Sequence, residues 1–595
     1  MKKFLSFLMV ATLTLGATLT VFGASNNLHQ DVNDFVRQNE ATTAAMSVSV
    51  FTGNDVLLEQ HHGRINIANN VANHPEAVFE WGSATKLLVP VSALQLAERG
   101  LLDLNEDIRN HLPQGFLTGL RYDEPITMMH LLNHTAGFQN TFLEFNVAAR
   151  EGTTSGLGEA LEVFQPPQIF RPGSVTAYSN FGTALAGYVI ERVSGIPFHA
   201  YVEANIFTPL GMTQTALAPN LSDNLWVQAQ REHTHGYTLG LQSLGVADFP
   251  IDWYPAGSAT GTLADFRKFG QALLSDNSIL FQNPETLGLL LSPTSFFPDG
   301  TGRSYHGFWG EPNFMGHVVG HAGNTPGHSS TLLIDIENGF GAVVMTNQRL
   351  EYVHNRQMMN VIFGESDFSN LGDPANDIRV SGMFRNSQRH ERGMFKFLGF
   401  LDFRPFFQQD DDTLSTPFFG TLSQVADGVY RTDMDWDQSE LFFVSADDRG
   451  NVQYITAGSR DYIRVSWGVV IFEVVALLSF VVAGLYGLVM LIKIVIQKLR
   501  NRGQDTSKIH LGLYGVLSLM LVNFMVFAIG AFTGMLPTAM IIHGVLFILL
   551  SLAIIACVVI LWLSKNRSNK LITPSIMGFL AVFSIIYWQL WVFWL

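Results

Sequence analysis

Apolar residues along this chain recur in several rhythms, and each rhythm predicts a different element. Leu28, Val32, Phe35 and Val36 fall at helical spacing and predict an opening helix. Met46, Val48 and Val50 alternate with small polar residues, Gly53-Asn54-Asp55 supplies a turn, and Val56 to Glu59 returns as a second strand. The stretch Trp81-Gly82-Ser83-Ala84-Thr85-Lys86 opens a helix that runs through Leu94-Gln95-Leu96-Ala97 to Gly100, which suits a C-terminal cap. Pro90 lies within its first turns, where a kink is tolerated. Residues 106–254 read as mainly helical, with Thr127 to Leu132 and Ala184 to Ile190 as the clearest segments. Sheet patterning returns at Gly316 to Gly320, Thr331 to Ile336 and Gly341 to Thr346, the last two joined by the hairpin signal Asn338-Gly339. A helical part is thus inserted into an α/β part, and a cleft between two such lobes is a usual place for a site.

Beyond residue 368 the texture changes. Between 369 and 465, charged and Gln-rich patches separate short apolar runs such as Leu441 to Val444 and Val452 to Ile455, which predicts a small β-rich domain serving as a spacer or lid. Four apolar runs follow, about 467–492, 511–533, 537–563 and 573–595, each long enough to span about 30 Å of hydrocarbon as a helix. Lys493, Lys498, Arg500, Arg502 and Lys508 fill the loop after the first run, and Lys565, Arg567 and Lys570 the loop after the third. By the positive-inside rule both loops are cytoplasmic, which leaves the preceding domains outside the cell. Met1-Lys2-Lys3, the apolar run Phe4 to Val21 and the small residues Gly23-Ala24-Ser25 have the shape of an export signal and agree with that orientation. The reading is therefore a signal peptide at 1–24, an α/β domain at 25–368, a β-rich domain at 369–465 and four transmembrane helices at 466–595. Trp588, Trp591 and Trp594 are expected in the interfacial belt, and Glu473 to reach the interface from about two turns inside the first span.

Charge sharpens this division. Residues 466–595 hold 8 basic and 2 acidic side chains, against 27 basic and 48 acidic in residues 1–465. So acidic a front part lacks the basic footprint that a nucleic-acid partner requires, whereas the lipid bilayer is an implied partner of the rest. Cys557 is the only cysteine, which excludes a disulfide framework and a cysteine-based metal site. His61-His62 and His233-x-His235 are too sparse for a metal, so neither a metal nor another cofactor is expected.

Candidate chemistry begins at Ser83, three residues before Lys86, a nucleophile one helical turn from a base. Three further stretches could complete a site: Tyr178-Ser179-Asn180, His321-Ala322-Gly323 and His134-Thr135-Ala136-Gly137. Ser-x-x-Lys, Tyr-Ser-Asn and His-x-Gly in this order resemble the serine β-lactamase and penicillin-binding-protein superfamily, in its class C-like branch of esterases, D-aminopeptidases and carboxypeptidases. The likeness extends to Gly100-Leu101-Leu102-Asp103-Leu104, Ile126 to Phe138, Tyr178 to Gly195, Ile206 to Met212 and Pro255-Ala256-Gly257, and covers about residues 28–365. The resemblance implies a β-lactamase-like fold, an antiparallel sheet flanked by helices with an all-α lobe. It also implies that Ser83 forms an acyl-enzyme, that Lys86 stabilises a deprotonated Tyr178, and that Tyr178 acts as general base. Asn180 would bind Lys86 and the substrate amide, and the N–H groups of Ser83 and Asn324 would form an oxyanion hole. The strand edge from His321 through Gly323 to Asn324 would align an extended substrate.

Many relatives carry a lysine where His321 stands, and a histidine there favours an esterase or peptidase over a β-lactamase. His134 is read as fixing a loop. The expected function is a membrane-anchored extracellular serine hydrolase acting on ester or amide (D-alanyl-type) substrates of the cell envelope. The alternative is a penicillin-binding sensor that acylates without efficient turnover and signals through its spans. Oligomeric state is left open.

Overall fold

Burial, more than alternation, explains the first strands. In the computed structural model, which describes residues 27–139, 156–163, 165–246, 251–368, 379–410, 412–432, 440–447, 449–500, 507–533, 537–564 and 571–593, the Gly53-Asn54-Asp55 turn joins β1 (Ala45–Thr52) to β2 (Val56–Asn66). Both faces of β1 are covered. Met46, Val48 and Val50 pack with Val32 and Val36 of α1 (Leu28–Asn39) and with Met358 and Met359. Ser47 and Ser49 point the other way and are equally buried, which is tolerable because both are hydrogen-bonded. Asn73 Nδ2 donates to Ser47 Oγ at 2.9 Å, and Ser49 Oγ donates to the Leu58 carbonyl at 3.0 Å.

The sheet also contains β3 (Val71–Ala72), β4 (Ser295–Phe296), β5 (Gly302–Tyr305), β6 (Phe308–Gly310), β7 (Val318–Asn324), β8 (Ser329–Asp335) and β9 (Phe340–Thr346). Its order is β3-β2-β1-β9-β8-β7-β6-β5-β4. Pairing of β1 with β9, from Met46 opposite Thr346 to Thr52 opposite Phe340, joins the two ends of the α/β part. The hairpin between β8 and β9 turns at Gly339, whose φ of 71° suits glycine. The helical lobe falls between β3 and β4. It includes α2 (Leu88–Glu98), α3 (Met128–Leu132) and α4 (Asn180–Ser194), while α5 (Leu263–Leu274) packs Phe266 and Phe269 into the same core as Phe51 and Leu332 of the sheet. Gly100 follows α2 with φ 69°, as a capping glycine does.

The β-rich region is a closed barrel of β10 (Gly382–Asn386), β11 (Phe403–Gln408), β12 (Thr413–Thr416), β13 (Gly420–Ala426), β14 (Val429–Thr432), β15 (Leu441–Ala446), β16 (Val452–Ala457) and β17 (Arg460–Val465). Pairing of β10 with β17, Met383 opposite Val465, closes the ring around Phe384, Phe406, Phe442 and Tyr462. Closure leaves no strand edge exposed. Between β10 and β11 a 3-10 segment, Met394–Asp402, leaves the barrel and buries Phe395 and Phe397 against Phe524 and Phe527 of the C-terminal helices.

Three C-terminal helices, α6 (Trp467–Leu499), α7 (Lys508–Thr533) and α8 (Pro537–Leu563), are long and apolar enough to cross a membrane. A fourth apolar helix follows them, so the four-helix count holds only approximately. The helix α9 (Ile572–Tyr587) has 16 residues, about 24 Å at about 1.5 Å per residue, short of the hydrocarbon thickness. It stops because the chain turns back: the Met394 N–H donates to the Val592 carbonyl at 3.0 Å, and the Gly393 N–H to Gln589 Oε1 at 2.8 Å. Trp588 is buried in the helix core, and Trp591 packs against the same core. Glu473 meets a partner from the barrel. It is 2% exposed and accepts a hydrogen bond from Arg385 Nη1 of the barrel at 3.0 Å. The expected export signal at 1–24, Arg502, the stretch of Lys565, Arg567 and Lys570, and Trp594 lie outside the described residues.

Trp81 stacks on Phe266 with centroids 3.9 Å apart, both rings buried. Phe266→Ala is expected to destabilise the protein by about 3–5 kcal/mol, read as a lowered thermal unfolding midpoint of the detergent-solubilised chain.

Candidate active site

Gly82–Leu87 is a 3-10 turn and precedes α2, where the sequence pattern predicts the first turn of the α-helix itself. The difference helps the chemistry. At about 3.0 residues per turn, positions i and i+3 stand directly above one another, so Ser83 and Lys86 are eclipsed. Lys86 Nζ donates to Ser83 Oγ at 3.1 Å and to the Ala256 carbonyl at 2.6 Å. Lys86 is buried, and its ammonium lies 4.9 Å from the centroid of the Tyr178 ring.

Tyr178 owes its position to the segment around it. Ser179 is the N-cap of α4, its Oγ accepting the Gly182 N–H at 3.0 Å, and Asn180 is the first helical residue. His134 holds the same segment from the other side: the Ala177 N–H donates to its carbonyl at 2.9 Å, and the Ser179 N–H to its Nδ1 at 3.1 Å. Its ring lies between Tyr178, at 4.5 Å, and Trp309, at 5.5 Å. Burial, and then the charge on Lys86, hold His134 well below the usual histidine range. A neutral ring with an accepting Nδ1 is a structural platform, in agreement with the loop-fixing reading.

Two glycines bring β7 onto the nucleophile turn. A Cβ on Gly323 would lie 1.9 Å from the Trp81 carbonyl oxygen and 2.9 Å from the Ser83 nitrogen. Gly82 has φ +53°, and a Cβ there would lie 2.6 Å from the Asn324 nitrogen. The backbone nitrogens of Ser83 and Asn324 therefore come from two segments in direct contact. The Asn324 side chain is fixed by Ser329 Oγ, which donates to its Oδ1 at 2.7 Å. β6 pairs with β7 only at Val319 and Gly320, so among the described residues the edge from Ala322 to Asn324 has no strand beside it there.

His321 is buried next to this edge. Its Nδ1–H donates to the Ala322 carbonyl at 2.5 Å, and among the described residues Nε2 has no partner. Burial, and then the Lys86 charge, push its pKa down to about 3. The ring is therefore neutral at physiological pH and presents an accepting lone pair.

Ser83, Tyr178, Asn180, His321 and Asn324 all line one cleft of about 540 Å³. Gly323 sits behind them as the spacer that permits the approach of β7. Trp309 forms part of one wall, and the barrel supplies the opposite wall through Glu440, Leu441, Phe443 and Arg460. Sequence reasoning missed the Ala256 carbonyl, because a backbone acceptor leaves no side-chain signature; only the Pro255-Ala256-Gly257 motif marked the place. It also missed the barrel wall, whose residues include no reactive cluster.

Residues 32–358 match the Beta-lactamase family model. Protein flp of Staphylococcus aureus (strain MRSA252) is 24% identical over 344 residues, 55% of this chain and 65% of flp, so the chain spans just under two thirds of that relative. Penicillin-binding protein 4* of Bacillus subtilis (strain 168) is 24% identical over 335 residues, 53% of this chain and 71% of that protein. Among solved structures, SurE with D-Leu is similar with a TM-score of 0.51 at 19% identity, covering 74% of this chain and 99% of SurE. That share is more than residues 32–358 could supply, so the likeness of fold continues past the family domain.

Gly323→Ala is expected to reduce labelling of Ser83 by a serine-reactive probe about a hundredfold, because the strand must retreat from the turn by about 1 Å; the rate of labelling by mass spectrometry measures it. A second expectation concerns pH. The folded pKa of His321 lies below its unfolded value of 6.5, so the unfolded state binds the extra proton first. Its contribution to stability is complete above about 6.5 and declines as the pH falls toward 3, and imidazole nitrogen shifts should report a neutral ring at pH 5.

Proposed function

The chain belongs to the beta-lactamase family; from that premise we propose that it is a membrane-anchored serine hydrolase, with its catalytic domain outside the cell. It acts through a Ser83 acyl-enzyme on ester or amide substrates of D-alanyl type in the cell envelope. The observation that carries this reading is the 3.1 Å contact between Ser83 and a buried Lys86 beneath the Tyr178 ring, at the head of a cleft that runs along an open strand edge.

Tyr178, deprotonated beside the Lys86 ammonium, takes the Ser83 proton as Oγ attacks the substrate carbonyl carbon. The N–H groups of Ser83 and Asn324 hold the oxyanion of the tetrahedral intermediate. Tyr178 returns the proton to the leaving alcohol or amine, the bond to it breaks, and the acyl group stays on Ser83. Water then enters, gives its proton to Tyr178 and releases the acid, and the proton passes back to Ser83. Asn180 orients Lys86 and the substrate amide, and the substrate extends along Ala322–Asn324. A neutral His321 offers no cation to a substrate carboxylate, which supports an ester or peptide in preference to a β-lactam. The basic residues Lys493 and Lys498 near the end of α6, Arg500 just after it and Lys508 at the start of α7 support a cytoplasmic loop there and an external catalytic domain.

One observation favours the second reading, a slowly acylating sensor: the ion pair of Arg385 with Glu473 joins the barrel to α6. A fluorophosphonate probe and a panel of D-alanyl esters, D-alanyl amides and β-lactams test both readings on the intact protein. Wild type should label at Ser83 and turn over an ester or amide. Ser83→Ala should do neither, and Tyr178→Phe should lose about 10²–10⁴-fold in kcat. Absence of both labelling and turnover overturns the hydrolase reading, while stable β-lactam acylation with no turnover selects the sensor.

A further inference from the structure

The segment that carries Tyr178 is gripped from two sides, and only one grip belongs to the family domain. His134 holds Ala177 and Ser179. The barrel holds Thr176: its N–H donates to Asp461 Oδ2 at 2.9 Å, and its carbonyl accepts from Ser387 Oγ at 2.7 Å. Ala177 forms a β-bridge with Arg460. All of these polar groups are buried, so each lost bond would leave an unsatisfied partner.

Both barrel residues are themselves fixed. Asp461 Oδ1 receives Arg303 Nη1 at 2.9 Å and Thr456 Oγ1 at 3.0 Å, an ion pair between the hydrolase domain and the barrel. Ser387 Oγ accepts the Asp461 N–H at 3.0 Å, and the Ser387 N–H donates to the Asp461 carbonyl at 2.8 Å. Two residues before Ser387, Arg385 donates through Nη1 to Glu473 Oε1 of α6 and through Nη2 to the Gly399 carbonyl, each at 3.0 Å. The Tyr587 hydroxyl of α9 donates to the same Glu473 oxygen at 3.1 Å. Among the described residues Glu473 Oε2 and Arg385 Nε have no partner, and a buried pair left partly unpaired contributes little to stability. What it does determine is where the barrel sits on the membrane helices.

We propose that Asp461 is a positioning residue for the Tyr178 base, acting through the backbone of Thr176 and Ala177, and that the Arg385–Glu473 pair mounts this grip on the first membrane helix. The proposal rests on the serine hydrolase reading with Tyr178 as base. Its consequence is that the catalytic geometry is completed by the barrel and held in register by the transmembrane region.

The test uses the full chain in lipid nanodiscs, with the fluorophosphonate labelling rate of Ser83 and the kcat and KM of an ester that wild type turns over. Asp461→Asn, Ser387→Ala and Glu473→Gln should each lower kcat and the labelling rate about ten- to a hundredfold with KM little changed, as expected for a base displaced by up to about 1 Å. Exchanging the charges in the double variant Arg385→Glu, Glu473→Arg should recover more activity than either single substitution. Wild-type labelling rates in Asp461→Asn and Ser387→Ala overturn the positioning role, and so does a rise in KM that accounts for the lost kcat/KM, since that would make the barrel a binding wall only. Should Asp461→Asn fail to fold, Ser387→Ala, which removes one hydroxyl, decides the matter. A wild-type rate in Glu473→Gln overturns the link to the membrane helix. If wild type itself neither labels nor turns over the ester, it is the hydrolase reading that fails, and this proposal falls with it.

Discussion

The site depends on one close approach of backbone to backbone. β7 meets the Gly82–Leu87 turn at a distance that no side chain at Gly323 or Gly82 would permit. That contact puts the Ser83 and Asn324 nitrogens on two touching segments, and among the described residues the outer edge of β7 from Ala322 to Asn324 has no strand beside it. The eclipsed Ser83 and Lys86, the lysine's second bond to the Ala256 carbonyl and the ring of Tyr178 above it are all arranged around this junction.

The cation in contact with the nucleophile is one buried lysine, Lys86. His134 and His321 flank Tyr178, and both are held neutral by burial and by Lys86 itself. The low dielectric that suppresses their protonation also strengthens the field of the ammonium at the phenol. Histidine is therefore used here as an aromatic and hydrogen-bonding residue on either side of Tyr178.

Much of this was legible in the sequence. The order of Ser83, Lys86, Tyr178, Asn180 and His321 identified the family, and the periodicities located the strands on either side of the helical lobe. What escaped has physical causes. A 3-10 turn differs from the first turn of an α-helix by one step in hydrogen-bond register, which leaves no trace in the apolar pattern. Apolar composition alone cannot separate a span from a helix that ends early, and α9 ends where it does because Gly393 and Met394, far upstream, bond to Gln589 and Val592. The place of Glu473 near one end of the first apolar helix was readable, but its partner Arg385 was not, because an ion pair 88 residues apart depends on how a closed barrel docks. Two of the barrel's strands were visible as the short apolar runs Leu441 to Val444 and Val452 to Ile455; the barrel's place as a wall of the cleft follows from tertiary packing.

The tie between Gly393 and Gln589 crosses 196 residues of chain. During synthesis, the barrel and the catalytic domain leave the ribosome well before α9 and the residues after it. Until then neither the hydroxyl of Tyr587 nor the seat for Gly393 exists, and the segment Met394–Asp402 has no completed helix bundle in which to bury its aromatic side chains. Maturation of the catalytic domain and the barrel is thus ordered in time behind synthesis of α9, so a chain stalled before it stays unfinished in both.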